Sequence, residues 1–144
     1  MDITPLLQGG LPGWQYRAEP ASSQAIAALT AESPIALPQE YLDLLRFSNG
    51  GGGELGVEPG WFQLWPAEEV VEANLGYEVK DWIPGFFGFG SSGGGELLAF
   101  DTRQSPTWPI FMIPFCGGTL EDARMIAPDF SRFISALGRA KSDS

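Results

Sequence analysis

Apolar residues recur at helical spacing in three stretches of the chain. In LPQEYLDLLRFSNGGGG, Tyr41, Leu44 and Leu45 share one face while Gln39, Glu40, Asp43 and Arg46 take the other. That stripe predicts a helix with Pro38 at its first position and a stop at Asn49 and Gly50, both expected in left-handed backbone. Upstream, the Ala-rich AEPASSQAIAALTAE predicts a helix from Pro20 to Glu32, with Ile26 and Leu29 three apart and Pro34 beyond its end. In APDFSRFISALGRA, Phe130, Phe133, Ile134 and Leu137 fall at i, i+3, i+4 and i+7. Pro128 and Asp129 mark the start of that helix and Gly138 its stop.

Between these helices the period shortens to two. WFQLW alternates as a short strand that puts Trp61, Gln63 and Trp65 on one side. Pro66 then opens a short acidic helix, PAEEVVEAN, with Glu68 and Glu69 expected in its first turn, where the helix dipole favours negative charge. Phe86 to Gly90, Glu96 to Asp101 and Pro109 to Pro114 are further strands, separated by Gly-, Ser- and Pro-rich turns. Residues 1–17 show no period and are read as an N-terminal arm with Trp14 and Tyr16 packing back onto the rest. Residues 18–140 form one domain, and 141–144 are a polar tail. Helices at both ends around a run of strands imply an α+β fold with a mainly antiparallel sheet.

The segment FFGFGSSGGGELLAFD contains Gly88, Gly90 and Gly93 in the G-x-G-x-x-G spacing of a dinucleotide loop. Such a loop works when its glycines follow a strand and open a helix, whose free N–H groups hold the pyrophosphate. Here ELLAFD follows and has no helical length before Pro106. No acid stands about twenty residues on, and no Lys follows as in a Walker loop. The glycines are therefore read as the wide turn of a β-hairpin, Ser91 to Gly95. Leu97 and Ala99 then face one side and Leu98 and Phe100 the other, so this strand is expected to be central and covered on both faces.

Composition narrows the chemistry. The 144 residues include ten Phe, five Trp and three Tyr, enough apolar bulk for one folded core, while nineteen Gly and twelve Pro favour a sheet with many turns. The absence of His and the single Cys116 remove His-dependent triads, an internal disulfide and the commonest zinc sites. Glu96 and Asp101 bracket one strand too far apart to share a proton, and Glu121 and Asp122 lack a second acidic cluster for a metal. Cys116 is expected to be small and buried. No cofactor is expected. The N-terminus lacks a basic and apolar leader pattern, which places the chain in the cytoplasm.

The net charge is −10, and residues 53–102 contribute −8 of it through nine acids against Lys80 alone. That segment repels nucleic acid and anionic membrane and attracts basic protein. Trp61, Trp65 and Trp82 are the aromatic candidates for a recognition groove.

Four segments in order resemble the SMI1/KNR4 family, whose bacterial members belong to the SUKH superfamily of immunity proteins. Leu37, Pro38, Tyr41, Leu45, Asn49, Gly50 and Gly51 match its hallmark helix. Leu64, Glu68 and Val70 match its aromatic strand and acidic helix. FFGFGSSGGGELLAFD is similar to its glycine block and IAPDFSRFISAL to its closing helix. Ser91 and Ser92 depart from the acidic or Asn residues common in that loop, and Pro128 replaces a residue usually not proline. The resemblance implies an α+β fold without catalysis. It implies antidotes to polymorphic toxins in bacteria and regulators of cell-wall synthesis in fungi. The expected function is thus an immunity protein that neutralises a basic nuclease or deaminase toxin domain. Its partner-binding residues are expected to be Glu54, Glu58, Glu68, Glu69, Glu72, Glu78 and Asp81, with Trp61 and Trp65 as apolar anchors. A regulatory module that binds a ligand in a groove of the sheet and glycine loop is the alternative.

Overall fold

The computed structural model describes residues 4–7, 11–103 and 107–140. The expected polar tail, residues 141–144, and parts of the N-terminal arm lie outside them. In chain order the elements are β1 (Tyr16–Arg17), α1 (Ser23–Glu32), α2 (Gln39–Phe47), β2 (Gly51–Glu54), β3 (Trp61–Leu64), α3 (Val70–Gly76), α4 (Val79–Trp82), β4 (Phe86–Ser91), β5 (Glu96–Asp101), β6 (Ile110–Pro114), β7 (Arg124–Ala127) and α5 (Phe130–Ala136). Among the described residues the strands form one antiparallel sheet whose spatial order equals chain order, β1 to β7. The α+β fold expected from the sequence is the one observed.

The sheet has two covered faces. On one, Phe62, Leu64, Phe87, Phe89, Leu98, Phe100 and Ile110 pack against Ile26 and Leu29 of α1, Tyr41, Leu44 and Leu45 of α2, and Phe130, Phe133 and Ile134 of α5. Leu7 and Trp14 join this core. On the other, Phe86, Leu97, Ala99 and Ile113 pack against Val79 of α4 and Ile83 just after it. β5 supplies both faces, and Leu97, Leu98, Ala99 and Phe100 are each 0% exposed. Alternation puts one pair on each side, as the apolar run at Glu96–Asp101 predicts. Asp101 ends the strand, buried; its carboxylate accepts from Arg103 Nε at 2.9 Å and Nη2 at 3.1 Å, a pairing that raises the Arg103 pKa.

β4 and β5 pair from Phe86↔Asp101 to Ser91↔Leu97, so the glycine segment is a strand, a turn and a strand. The register slips between Gly88 and Gly90. Among the described residues β3 pairs with β4 at Gln63↔Ser91 and Leu64↔Gly90, and Trp65 N–H adds one bond to Phe89 O at 3.1 Å before Pro66 turns the chain away. A side chain completes the vacated edge: Asn74 of α3 accepts from Gly88 N at 2.7 Å and donates to Gly88 O at 2.8 Å. One amide thus satisfies the N–H and C=O that β3 leaves behind.

Several expectations need correction. Pro38 is the residue before α2, in extended backbone, and makes no side-chain cap. Asp43, placed by the stripe on the polar face, is buried, and it is accommodated by hydrogen bonds from Gln39 at 3.0 Å and Arg46 at 3.4 Å. Gly50 (φ 97°) takes positive φ as expected, but Asn49 does not; the second such residue is Gly51 (φ 90°). Asn49 instead spends its amide on the chain beyond β3. The sequence pattern assigns no element to Gly51–Glu54, which forms β2, and β1 and β7 carry no alternation that marks them. Trp14 is buried as expected, whereas Tyr16 is 65% exposed. Cys116 is exposed, on the turn after β6.

Candidate functional site

α3 begins at Val70, one turn later than its composition implies. Ala67, Glu68 and Glu69 form the turn before it, and that turn is held by α2's end. Asn49 Oδ1 accepts from Ala67 N at 2.7 Å, and Asn49 Nδ2 donates to Glu68 Oε1 at 2.9 Å. This donation, with a smaller contribution from Glu68's own backbone N–H, lowers the Glu68 pKa. Glu69 and Glu72, three residues apart, then project from one side of α3.

Glu78 separates α3 from α4 with φ 53° and ψ 42°, and it is the non-glycine residue with positive φ among those described. The reversal lets Val79 of α4 and Ile83 just after it lie on the sheet while Tyr77 remains 51% exposed. Tyr77 stacks between Trp65 (ring centroids 6.0 Å) and Phe115 (4.7 Å), and Phe115 in turn stacks on Trp82 (5.9 Å). Trp82 is fixed by donation from its indole N–H to Gly118 O at 2.8 Å. Four rings from β3's end, the α3–α4 junction, α4 and β6's end thus form a continuous ladder. Trp65 can lie this close to the sheet because Gly88 has no side chain; a Cβ there would stand 3.1 Å from the indole.

The ladder leads to a groove of about 500 Å³ at the β1–β3 side, lined by Tyr16, Trp61, Gln63, Trp65 and Glu69, with Gly51 and Gly52 as floor. Tyr16 meets Trp61 edge-on at 6.1 Å. The glycine turn rims the same region, since a Cβ on Gly93 would lie 3.1 Å from Trp61.

The nine residues singled out from the sequence therefore divide. Trp61, Trp65 and Glu69 line one groove. Glu78 and Asp81 adjoin the ladder rings Tyr77 and Trp82 in the chain, and Glu72 projects from α3, all three exposed. Glu68 is exposed but tied to Asn49. Glu54 stands opposite Trp61 in the β2–β3 register. Glu58 is elsewhere, paired with Arg124 of β7 at 2.9 Å. Among the described residues, Glu69, Glu72, Glu78 and Asp81 enter no ion pair. Sequence reasoning missed Tyr16, Tyr77 and Phe115, which no local period connects to Trp65. Among the described residues, no three His, Cys, Asp or Glu side chains converge as a metal site would require, and no helix is long and apolar enough to cross a membrane.

A comparison with curated proteins returns no match. A family model described as SMI1 / KNR4 family (SUKH-1) matches residues 20–136, which run from just before α1 to the end of α5 and include the ring ladder, the acidic turn and the glycine hairpin. With the hallmark helix, hairpin and closing helix in the order observed, the chain belongs to the SMI1/KNR4 family (SUKH-1).

Proposed function

We propose that this protein is a non-catalytic binding module of the cytoplasm, an immunity protein that neutralises a basic toxin domain of nuclease or deaminase type. The observation that carries the reading is the combination on one side of the sheet: four stacked rings, Trp65, Tyr77, Phe115 and Trp82, with neighbouring carboxylates that enter no ion pair among the described residues. Rings held in this way offer apolar area with little entropy left to lose, and flanking carboxylates draw a basic partner toward them. An enzyme that grips phosphate presents a basic surface, and a protein that covers this surface blocks substrate. The family supplies the biological setting, and the charge supplies the direction of attraction.

The test is a variant with Lys at Glu68, Glu69 and Glu72, measured against the cognate toxin identified from gene order. Rim charges act mainly on encounter, so its association rate at low salt is expected to fall by about tenfold or more, with loss of protection in cells. A folded variant that protects and associates like the parent overturns the reading.

The groove beside Trp61 supports a second reading, a regulatory module that takes a small ligand between the sheet and the glycine turn. Its discriminating observation is a partner-independent change in Trp61 on exposure to metabolite mixtures, with no response to basic protein.

A further inference from the structure

The groove beside Trp61 has a shape that follows from register. Tyr16 is opposite Gly52 in the β1–β2 pairing, and Gly52 is opposite Gln63 in β2–β3. Residues directly opposite in antiparallel strands share a face, so this row reads Tyr16, no side chain, Gln63. The missing side chain leaves a slot walled by the Trp61 indole, whose Nε1 would stand 3.6 Å from a Cβ on Gly52. Trp61 flanks it and meets Tyr16 at 6.1 Å, while Trp65 and Glu69 close its far end. The slot therefore combines aromatic faces, the Gln63 amide and one carboxylate.

Among the described residues no basic side chain lines it. Arg17, next in the chain to Tyr16, is occupied elsewhere, with its guanidinium 3.9 Å over the Phe47 ring. Glu69 is exposed and in no ion pair among the described residues. Aromatic faces with a carboxylate and no counter-charge are the chemistry that takes a cation. A narrow slot selects among cations. A planar guanidinium slides between rings, stacks on an indole and forks onto a carboxylate, whereas a compact, strongly hydrated ammonium does none of these well.

We propose that this slot accepts an arginine side chain of the protein partner, with the guanidinium stacked against Trp61 and Trp65 and paired with Glu69. The proposal rests on the protein-binding reading above and specifies which residue of the partner enters.

The test uses the full chain with ¹⁵N label and acetyl-Gly-Arg-Gly-amide as probe, alongside the lysine and citrulline peptides. The indole N–H signals of the five Trp residues report position, with Trp61 and Trp65 identified by single Phe substitutions. Saturable shifts at Trp61 and Trp65 are expected with the arginine peptide, weaker by a few-fold with lysine and absent with neutral citrulline. Glu69→Gln, an exposed change that leaves the fold alone, is expected to weaken the arginine response about fivefold. Equal response to citrulline, shifts confined to Trp82, no shift, or an unchanged response in Glu69→Gln overturns the proposal. If it fails while the charge-reversed variant still loses association with the toxin, only the arginine slot is wrong. If that variant associates like the parent, the protein-binding reading itself falls.

Discussion

The two faces of β5 are built from adjacent residues yet lead to opposite surroundings. Leu98 and Phe100 look into a layer closed by three helices, where Phe89, Phe100, Phe130 and Tyr41 meet at centroid distances of 4.8–5.9 Å. Leu97 and Ala99 look toward α4 and a ladder of rings whose central member, Tyr77, is half exposed. Aromatic rings are packed on both sides, more of them on the closed one. What differs is the lid: long helices on one, a one-turn helix and a bent acidic segment on the other. Aromatic packing serves stability where it is closed and availability where it is left open.

The largest effect should separate the two faces. Phe100→Ala on the closed side is expected to cost about 3–5 kcal/mol in urea unfolding, since it leaves a cavity among four rings. The matched change Tyr77→Ala on the open side should cost about 1 kcal/mol, because only stacking with Trp65 and Phe115 is lost. Comparable losses would break the contrast. Next in size is Gly50→Val at the junction of α2 and β2. A side chain at φ 97° is strained, and its Cβ would stand 3.1 Å from Leu64 O, so a loss of about 1–2 kcal/mol is expected by thermal unfolding.

The closed face also carries a defect that sharpens the comparison. The Tyr41 hydroxyl is buried with no hydrogen-bond partner among the described residues, and burial raises its pKa far above the ordinary tyrosine range. Tyr41→Phe is expected to leave stability unchanged or raise it by about 1 kcal/mol, because an unsatisfied polar group is removed without loss of the ring. A clear loss of stability would show that the hydroxyl is satisfied after all.

The smallest effect lies at the edge of the open face. Glu68 titrates below its ordinary range because Asn49 donates to it. Its folded-state pKa is depressed, so its contribution is present above the ordinary carboxylate range and is lost as pH falls through the lower folded value. The stability difference between the parent and Glu68→Gln should therefore shrink on acidification and, at this exposed position, on addition of salt. A difference that is constant from neutral to acid pH would remove Asn49 from this role.

Legibility in the sequence followed the same division. The closed face was readable because burial imposes a period: Tyr41, Leu44 and Leu45 at helical spacing, Phe130 to Leu137 likewise, and the doubly apolar ELLAFD. β2 escaped because three glycines have neither propensity nor pattern, and its strand character comes from pairing with β3 and β1. The acids and Trp residues of the open face could be named, but not sorted. Glu58 joins Arg124 across 66 positions of sequence, and Tyr77 finds Trp65 and Phe115 through a left-handed Glu78; neither leaves a local trace. The Asn-Gly pair predicts a left-handed helix stop at Asn49, whereas its amide reaches 18 residues ahead to Ala67.

The amide of Asn74 has a consequence for the thermodynamics of association. Two hydrogen bonds to Gly88 fasten α3 to β4, and a third, to Val70 O within α3, holds the amide in place, so the helix that carries Glu72 and follows Glu69 moves with the sheet. A partner that docks there meets a surface already ordered and need not immobilise it, which removes a cost that loop-borne contacts incur. Rigidity also limits adaptation. A toxin whose contacting groups drift by mutation is not followed by a helix pinned to a strand, so escape should occur through geometry as readily as through charge, and recovery should require substitutions on α3 itself.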